Sequence, residues 1–96
     1  MSEWMPAKNK KQSCFASVAA QRVRLWRLRG GKILTRAAHE LGLSATQLHS
    51  YEEGRSMPNI RNAVAIERVC GVALWEWLAP ADPENAREIA RLAKGA

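Results

Sequence analysis

Residues 41 to 58, LGLSATQLHSYEEGRSMP, hold two helix-ending glycines, a capping serine and a closing proline in one short span. Ser44 is a good helix N-cap, Gln47 three positions on completes a capping box, and Leu43 just before the cap can staple onto Leu48. A helix therefore starts at Ala45 and runs to about Glu52, with Leu48 and Tyr51 facing inward. Gly54 supplies a residue able to turn with positive φ, and Pro58 announces the next element.

Working outward, apolar residues recur at helical spacing on both sides of this span. A first helix is expected from about Ser17 to Arg29, with Val18, Ala19, Val23 and Trp26 inward and Gly30 and Gly31 as its stop. A second, from about Ile33 to Leu41, puts Ile33, Ala37, Ala38 and Leu41 on one stripe, and Gly42 ends it. A fourth runs from Ile60 to Cys70 with Ile60, Ala63, Val64, Ile66 and Cys70 inward, stopped by Gly71. A short turn from Leu74 to Leu78 contributes Leu74, Trp77 and Leu78 to the core. Asp82 and Pro83 open a last helix to about Lys94, with Ala86, Ile89, Ala90 and Ala93 as its apolar stripe. No segment alternates as a strand, so the fold class is all-α.

At 96 residues and 47% hydrophobic composition the chain supports one small core. The division expected is a flexible basic arm (1–14), a helical domain (15–80) and a C-terminal helix (81–96). The net charge of +6 favours an anionic partner. It is unevenly placed: residues 1–36 carry nine Lys or Arg against one Glu, and residues 37–96 carry six against eight Asp or Glu.

Several function classes are disfavoured. There is no phosphate-binding GxxxxGK, no paired carboxylates in a cleft, and no base partner for Ser13 or Cys14, so no enzyme is expected. Cys14 and Cys70 lack metal-ligand spacing, so neither a metal nor a cofactor is expected. Cys70 falls at an apolar spacing, where a thiol acts as a small hydrophobe. No run of about 18 apolar residues marks a membrane span. The basic start before a short apolar run mimics a leader but ends too soon at Gln21 and Arg22. A reduced, cytoplasmic chain is the expectation.

Two short helices joined by Gly42, Leu43 and Ser44 match the sequence form of a helix-turn-helix, whose second helix enters the DNA major groove. Helical bundles in general use such turns, and the wider pattern is more specific. Arg27, Ala38, Gly42, Leu48, Glu52, Gly54, Pro58, Gly71 and Val72 together resemble the lambda repressor, Cro and Xre type of helix-turn-helix domain, over about residues 18 to 78.

The resemblance implies a five-helix DNA-binding bundle, here with an extra C-terminal helix, in a phage or bacterial regulator. It implies base contacts from Ala45, Thr46, His49 and Ser50, with Gln47 divided between capping and DNA. It implies phosphate contacts from the start of the second helix (Lys32, Thr35, Arg36) and from Arg55, Ser56, Asn59 and Arg61. It also implies an interhelical ion pair, Arg27 with Glu52. Where relatives often carry glutamines, this chain has Leu34, Ala45 and Thr46, so their bidentate adenine readout is not available at those positions. Glu53 has the wrong sign for DNA and either points away or pairs with Arg55.

The partner expected is double-stranded DNA, bound by a transcriptional repressor that occupies an operator, with no small-molecule substrate identified. The alternative is a protein-binding module, such as an antitoxin holding its partner with the same bundle. A homodimer is expected, with Trp75, Leu78 and Ile89 as interface candidates, unless the last helix covers Trp75 within one chain. Lys8, Lys10 and Lys11 either follow DNA or form a solvated tail, and Trp4 is incidental or a partner contact.

Overall fold

A computed structural model describes residues 16–95. The proposed arm, with Trp4, the three lysines and Cys14, lies outside the described residues. Five α-helices follow one another: α1 (Val18–Arg29), α2 (Leu34–Leu41), α3 (Ala45–Glu52), α4 (Ile60–Cys70) and α5 (Pro83–Gly95), with a 3-10 helix, Leu74–Leu78, between the last two. Among the described residues the sole extended pairing is an isolated bridge between Ser17 and Pro80.

Local chemistry sets the helix ends. Ser17 caps α1, its Oγ accepting the Ala20 N–H at 3.1 Å, and the Val18 N–H donates to Ala79 O at 3.0 Å, tying the start of α1 to the end of the 3-10 helix. Gly42 closes α2 with φ 73°, a left-handed conformation that disfavours a side chain. Ser44 and Gln47 form the capping box of α3: Gln47 N–H to Ser44 Oγ and Ser44 N–H to Gln47 Oε1, both 3.0 Å. Asn59 caps α4 by accepting the Asn62 N–H at 2.8 Å. Asp82 Oδ1 accepts the Glu84 N–H at 2.9 Å, with Pro83 at the first helical position, where no N–H is needed.

Helix α1 is the hub, packing against α3, α4, α5 and the 3-10 helix. Val23, Leu48, Ile66 and Val72 fill the centre and are fully buried, each such side chain contributing about 1.5–3 kcal/mol of burial. Ala37 and Ala38 are also buried, and their small size lets α2 lie close to α3 and α4. Tyr51 and Trp77 meet edge to face, ring centroids 6.2 Å apart.

The inward sets differ from the expected ones in five places. In α1, Leu25 is buried whereas Trp26 is half-buried. Ile33 stands at the N-cap of α2 and is 69% exposed; Ile60, the first residue of α4, is 76% exposed. Both continue an apolar stripe, but spacing sets a face, and exposure depends on whether another element covers that end of it. Leu78 was expected in the core and is 80% exposed, with Leu74 also exposed. In a 3-10 helix residues three apart eclipse, which puts Leu78 on the side of exposed Trp75; Leu74 shares the side of buried Trp77 but stands at the start of the turn and is 43% exposed. Finally, Ala86, Ala90 and Ala93 are exposed, and α5 has no buried residue; Ile89 and Leu92 are its half-buried apolar side chains.

Candidate nucleic-acid interface

Helix α3 is docked by Leu48, Tyr51 and Glu52, all buried. Tyr51 is further fixed by its hydroxyl, which accepts from Asn62 Nδ2 at 3.0 Å. With that side committed, Thr46, Gln47 and His49 are exposed, and Ala45 and Ser50 are half-buried at the edges. Two of these five side chains already have partners. Gln47 Oε1 is taken by the cap, which leaves its amide NH₂ as a donor and suits it to acceptors on a base edge. Ser50 Oγ lies 2.7 Å from Ser56 Oγ, so these two hydroxyls join the last turns of α3 to the loop that follows.

The groups assigned to phosphate lie in two sets. One surrounds the start of α2. No side chain caps that helix, because Ile33 occupies the position where a serine or threonine would serve. Its first-turn N–H groups and the positive end of its dipole suit an anion. Thr35 and Arg36 are exposed there, and Lys32 is half-buried. The second set, at the α3–α4 junction, comprises exposed Arg55, Asn59 and Arg61 with half-buried Ser56. The Oδ1 of Asn59 is committed to its helix, so its NH₂ is the end left to donate.

Behind α3 lies a network of arginines. Arg27 Nε and Nη2 donate to Glu52 Oε2 and Oε1 at 2.7 and 2.9 Å, and Arg27 Nη1 donates to Lys32 O at 3.3 Å. Arg24 approaches Glu52 at 3.9 Å and Glu53 at 3.7 Å. Glu53 thus has an ion partner on α1, Arg24.

A second pair escaped sequence reading. Arg22 Nη1 donates to both carboxylate oxygens of Glu76 at 2.6 Å, and Glu76 Oε2 also accepts the Ala73 N–H at 3.2 Å. The signal was a carboxylate between two tryptophans, Trp75 and Trp77, on one short turn.

Cys70 is half-buried, and burial pushes its thiol up to about 12, partly offset by Arg22. The thiol stays protonated and unreactive at neutral pH. Among the described residues no group of three or more His, Cys, Asp or Glu could hold a metal ion, and no helix is long and apolar enough to cross a membrane.

A capped eight-residue helix, docked by one side and preceded by a second short helix across a glycine turn, defines a helix-turn-helix domain. The family model for helix-turn-helix proteins, HTH_3, of the Xre and lambda repressor type, matches residues 23–76, more than half of the chain, and the chain belongs to that DNA-binding family. No curated protein and no solved structure matches it.

Proposed function

We propose that this protein is a sequence-specific transcriptional regulator, a cytoplasmic repressor of phage or bacterial origin that acts by occupying an operator as a homodimer. The observation that carries the reading is the outward side of α3, where Thr46, Gln47 and His49 are exposed, with one cationic set before it in the chain, Lys32 with Arg36, and another after it, Arg55 with Arg61. Phosphate contacts from the two sets fix the register, and the three side chains reach base edges. Thr46 offers a methyl for thymine and a hydroxyl, Gln47 its free NH₂, and His49 a ring N–H for a guanine acceptor.

One such domain spans few base pairs, and two copies about 34 Å apart along the duplex give useful specificity. Trp75 and Leu78, 68% and 80% exposed on one side of the 3-10 helix, are the anchors proposed for pairing. Ile89 is half-buried on α5 and stands at the border of that role.

Binding to random and genomic duplex fragments across a salt series tests the reading, with solution mass measured in parallel. Expected are a steep fall of affinity with salt, a tighter subset of fragments, and a dimer mass that Trp75→Ala converts to a monomer. No affinity even at low salt would overturn DNA binding, equal affinity for all fragments would overturn sequence specificity, and a monomer at all concentrations would overturn the dimer.

A further inference from the structure

Away from α3, a cleft of about 480 Å³ opens between α1, the end of α4 and α5. That volume lies within the range of small-ligand sites. Its floor is Leu25, Trp26 and Cys70, and its cationic walls are Arg22, Arg29 and Lys32; no carboxylate lines it among the described residues. The floor is uncharged, and Trp26 gives it a flat aromatic face.

The three cations differ in what they leave free. Arg22 is committed to Glu76 by two 2.6 Å contacts. Arg29 lies 3.7 Å from Glu88, which is held more closely by Arg91 at 2.6 Å. Lys32 lies 3.6 Å from Glu40, which Arg36 also approaches at 3.5 Å. In each of the last two groups a pair of cations shares one carboxylate, so each group carries one positive charge in excess, and each has one of its two cations in the lining of the cleft. Lys32 Nζ sits 5.4 Å from the centre of the Trp26 ring, above the apolar floor.

Lys32 also has a second position to serve. A smaller cleft of about 310 Å³ at the start of α2, bounded by Ile33 and Arg36, shares Gly30 and Lys32 with the first. One lysine therefore separates an aromatic, cationic cleft from the uncapped end of α2.

We infer that the larger cleft binds a small anion with a flat apolar body, an aromatic carboxylate in chemical class, and that Lys32 couples its occupancy to DNA binding. The carboxylate sits between Arg29 and Lys32, and the ring lies along Trp26 and Leu25. Lys32, engaged by the ligand, no longer reaches phosphate at α2. The coupling, unlike the binding, rests on the reading of that helix start as a phosphate contact.

Benzoate, benzamide and inorganic phosphate are the probes, titrated into the full chain without DNA and followed by amide and indole N–H resonances. Benzoate is expected to shift the Trp26 indole and the Gly30 and Lys32 amides saturably. Lys32→Gln and Arg29→Gln, with otherwise native spectra, should each weaken it about tenfold, as loss of one charge-assisted hydrogen bond does. Benzamide acting as strongly overturns the need for an anion, phosphate acting as strongly overturns the aromatic class, and non-saturating shifts overturn the site.

Gly30→Ala provides an independent variant. Gly30 has an ordinary helical φ of −84°, and a Cβ there would meet Lys32 Cε at 3.2 Å and Nζ at 3.3 Å, displacing a flexible side chain from the cleft. This variant should fold normally and bind benzoate more weakly. At matched ionic strength, saturating benzoate should lower wild-type affinity for duplex DNA about fivefold or more, the lower end of coupling between sites, and should do less in Gly30→Ala. Benzoate bound with DNA affinity unchanged overturns the coupling. A chain that never binds DNA overturns the interface reading and the coupling with it, while the resonance titration still decides the cleft.

Discussion

Arg27 grips both oxygens of Glu52 with two nitrogens and the carbonyl of Lys32 with the third, at 2.7, 2.9 and 3.3 Å. One side chain on α1 thus fixes the end of α3 and the approach to α2, the two helices whose mutual angle defines the DNA-binding unit. The Glu52 side chain is 2% exposed and that of Arg27 15%. Removing one partner strands the other charge in a nearly dry place, which costs about 3–5 kcal/mol. Glu52→Ala should lose that much in urea unfolding, and Arg27→Lys, which keeps the charge but not the fork, should recover part of it. An unchanged unfolding midpoint for Glu52→Ala would remove the pair from the account of stability.

The α3 cap is a separate device. Ser44→Ala deletes the acceptor for the Gln47 N–H and should cost about 1 kcal/mol in the same assay. Because Gln47 Oε1 still accepts the Ser44 backbone N–H, Gln47→Ala in the Ser44→Ala background should add a smaller further loss.

Trp77 is 5% exposed, and its indole N–H is buried without a hydrogen-bond partner among the described residues. Such an orphan donor costs about 1–3 kcal/mol. Trp77→Phe removes it while keeping an aromatic edge against Tyr51, and should fall within about 1 kcal/mol of wild type despite the smaller ring. Trp77→Ala, which leaves a cavity, should lose about 3–5 kcal/mol. A Phe variant as unstable as the Ala variant would mean that the indole makes an essential bond.

The raised thiol of Cys70 carries a pH signature. Below pH 9 the folded and unfolded chains both keep the proton; between about 9 and 12 the unfolded chain loses it first, so stability falls as pH rises through that window. Cys70→Ala lacks this contribution, and the wild type's stability relative to it should decline from pH 9 toward 12. A constant difference would mean that the thiol is as accessible in the fold as in the unfolded chain.

On DNA, Arg55→Ala should weaken all sequences alike and flatten the salt dependence by about one unit of slope, as loss of a phosphate contact does. His49→Ala should instead change preference among sequences, by about 1–3 kcal/mol at the affected base pair. The reverse pattern would exchange their roles.

The helix-turn-helix was legible because its signals are local. Gly42, Ser44 and Gln47 act within a few residues of each other, and their bonds depend little on the rest of the chain. Arg27 and Glu52 were legible only through the family resemblance, since nothing local links positions 25 apart. What the sequence hid depends on distant cover or on helix type. Ile33 and Ile60 have core-like spacing but no neighbour over them, and Leu78 reads as inward on an α-helical wheel yet turns outward on a 3-10 one. Arg22 with Glu76 is likewise a product of packing, bringing together residues 54 positions apart.

Helix α5 has thirteen residues and none of them buried. It is held to α1 at its start, where Gln21 donates to Asp82 O at 3.0 Å and accepts the Asp82 N–H at 2.8 Å, and farther along where Arg29 approaches Glu88 at 3.7 Å. Its amide protons should therefore exchange with solvent through local openings that leave Val23, Leu48 and Ile66 packed, while those of α1 and α4 await the opening of the core. The chain thus has two levels of protection, and its C-terminal helix can come and go on a clock of its own.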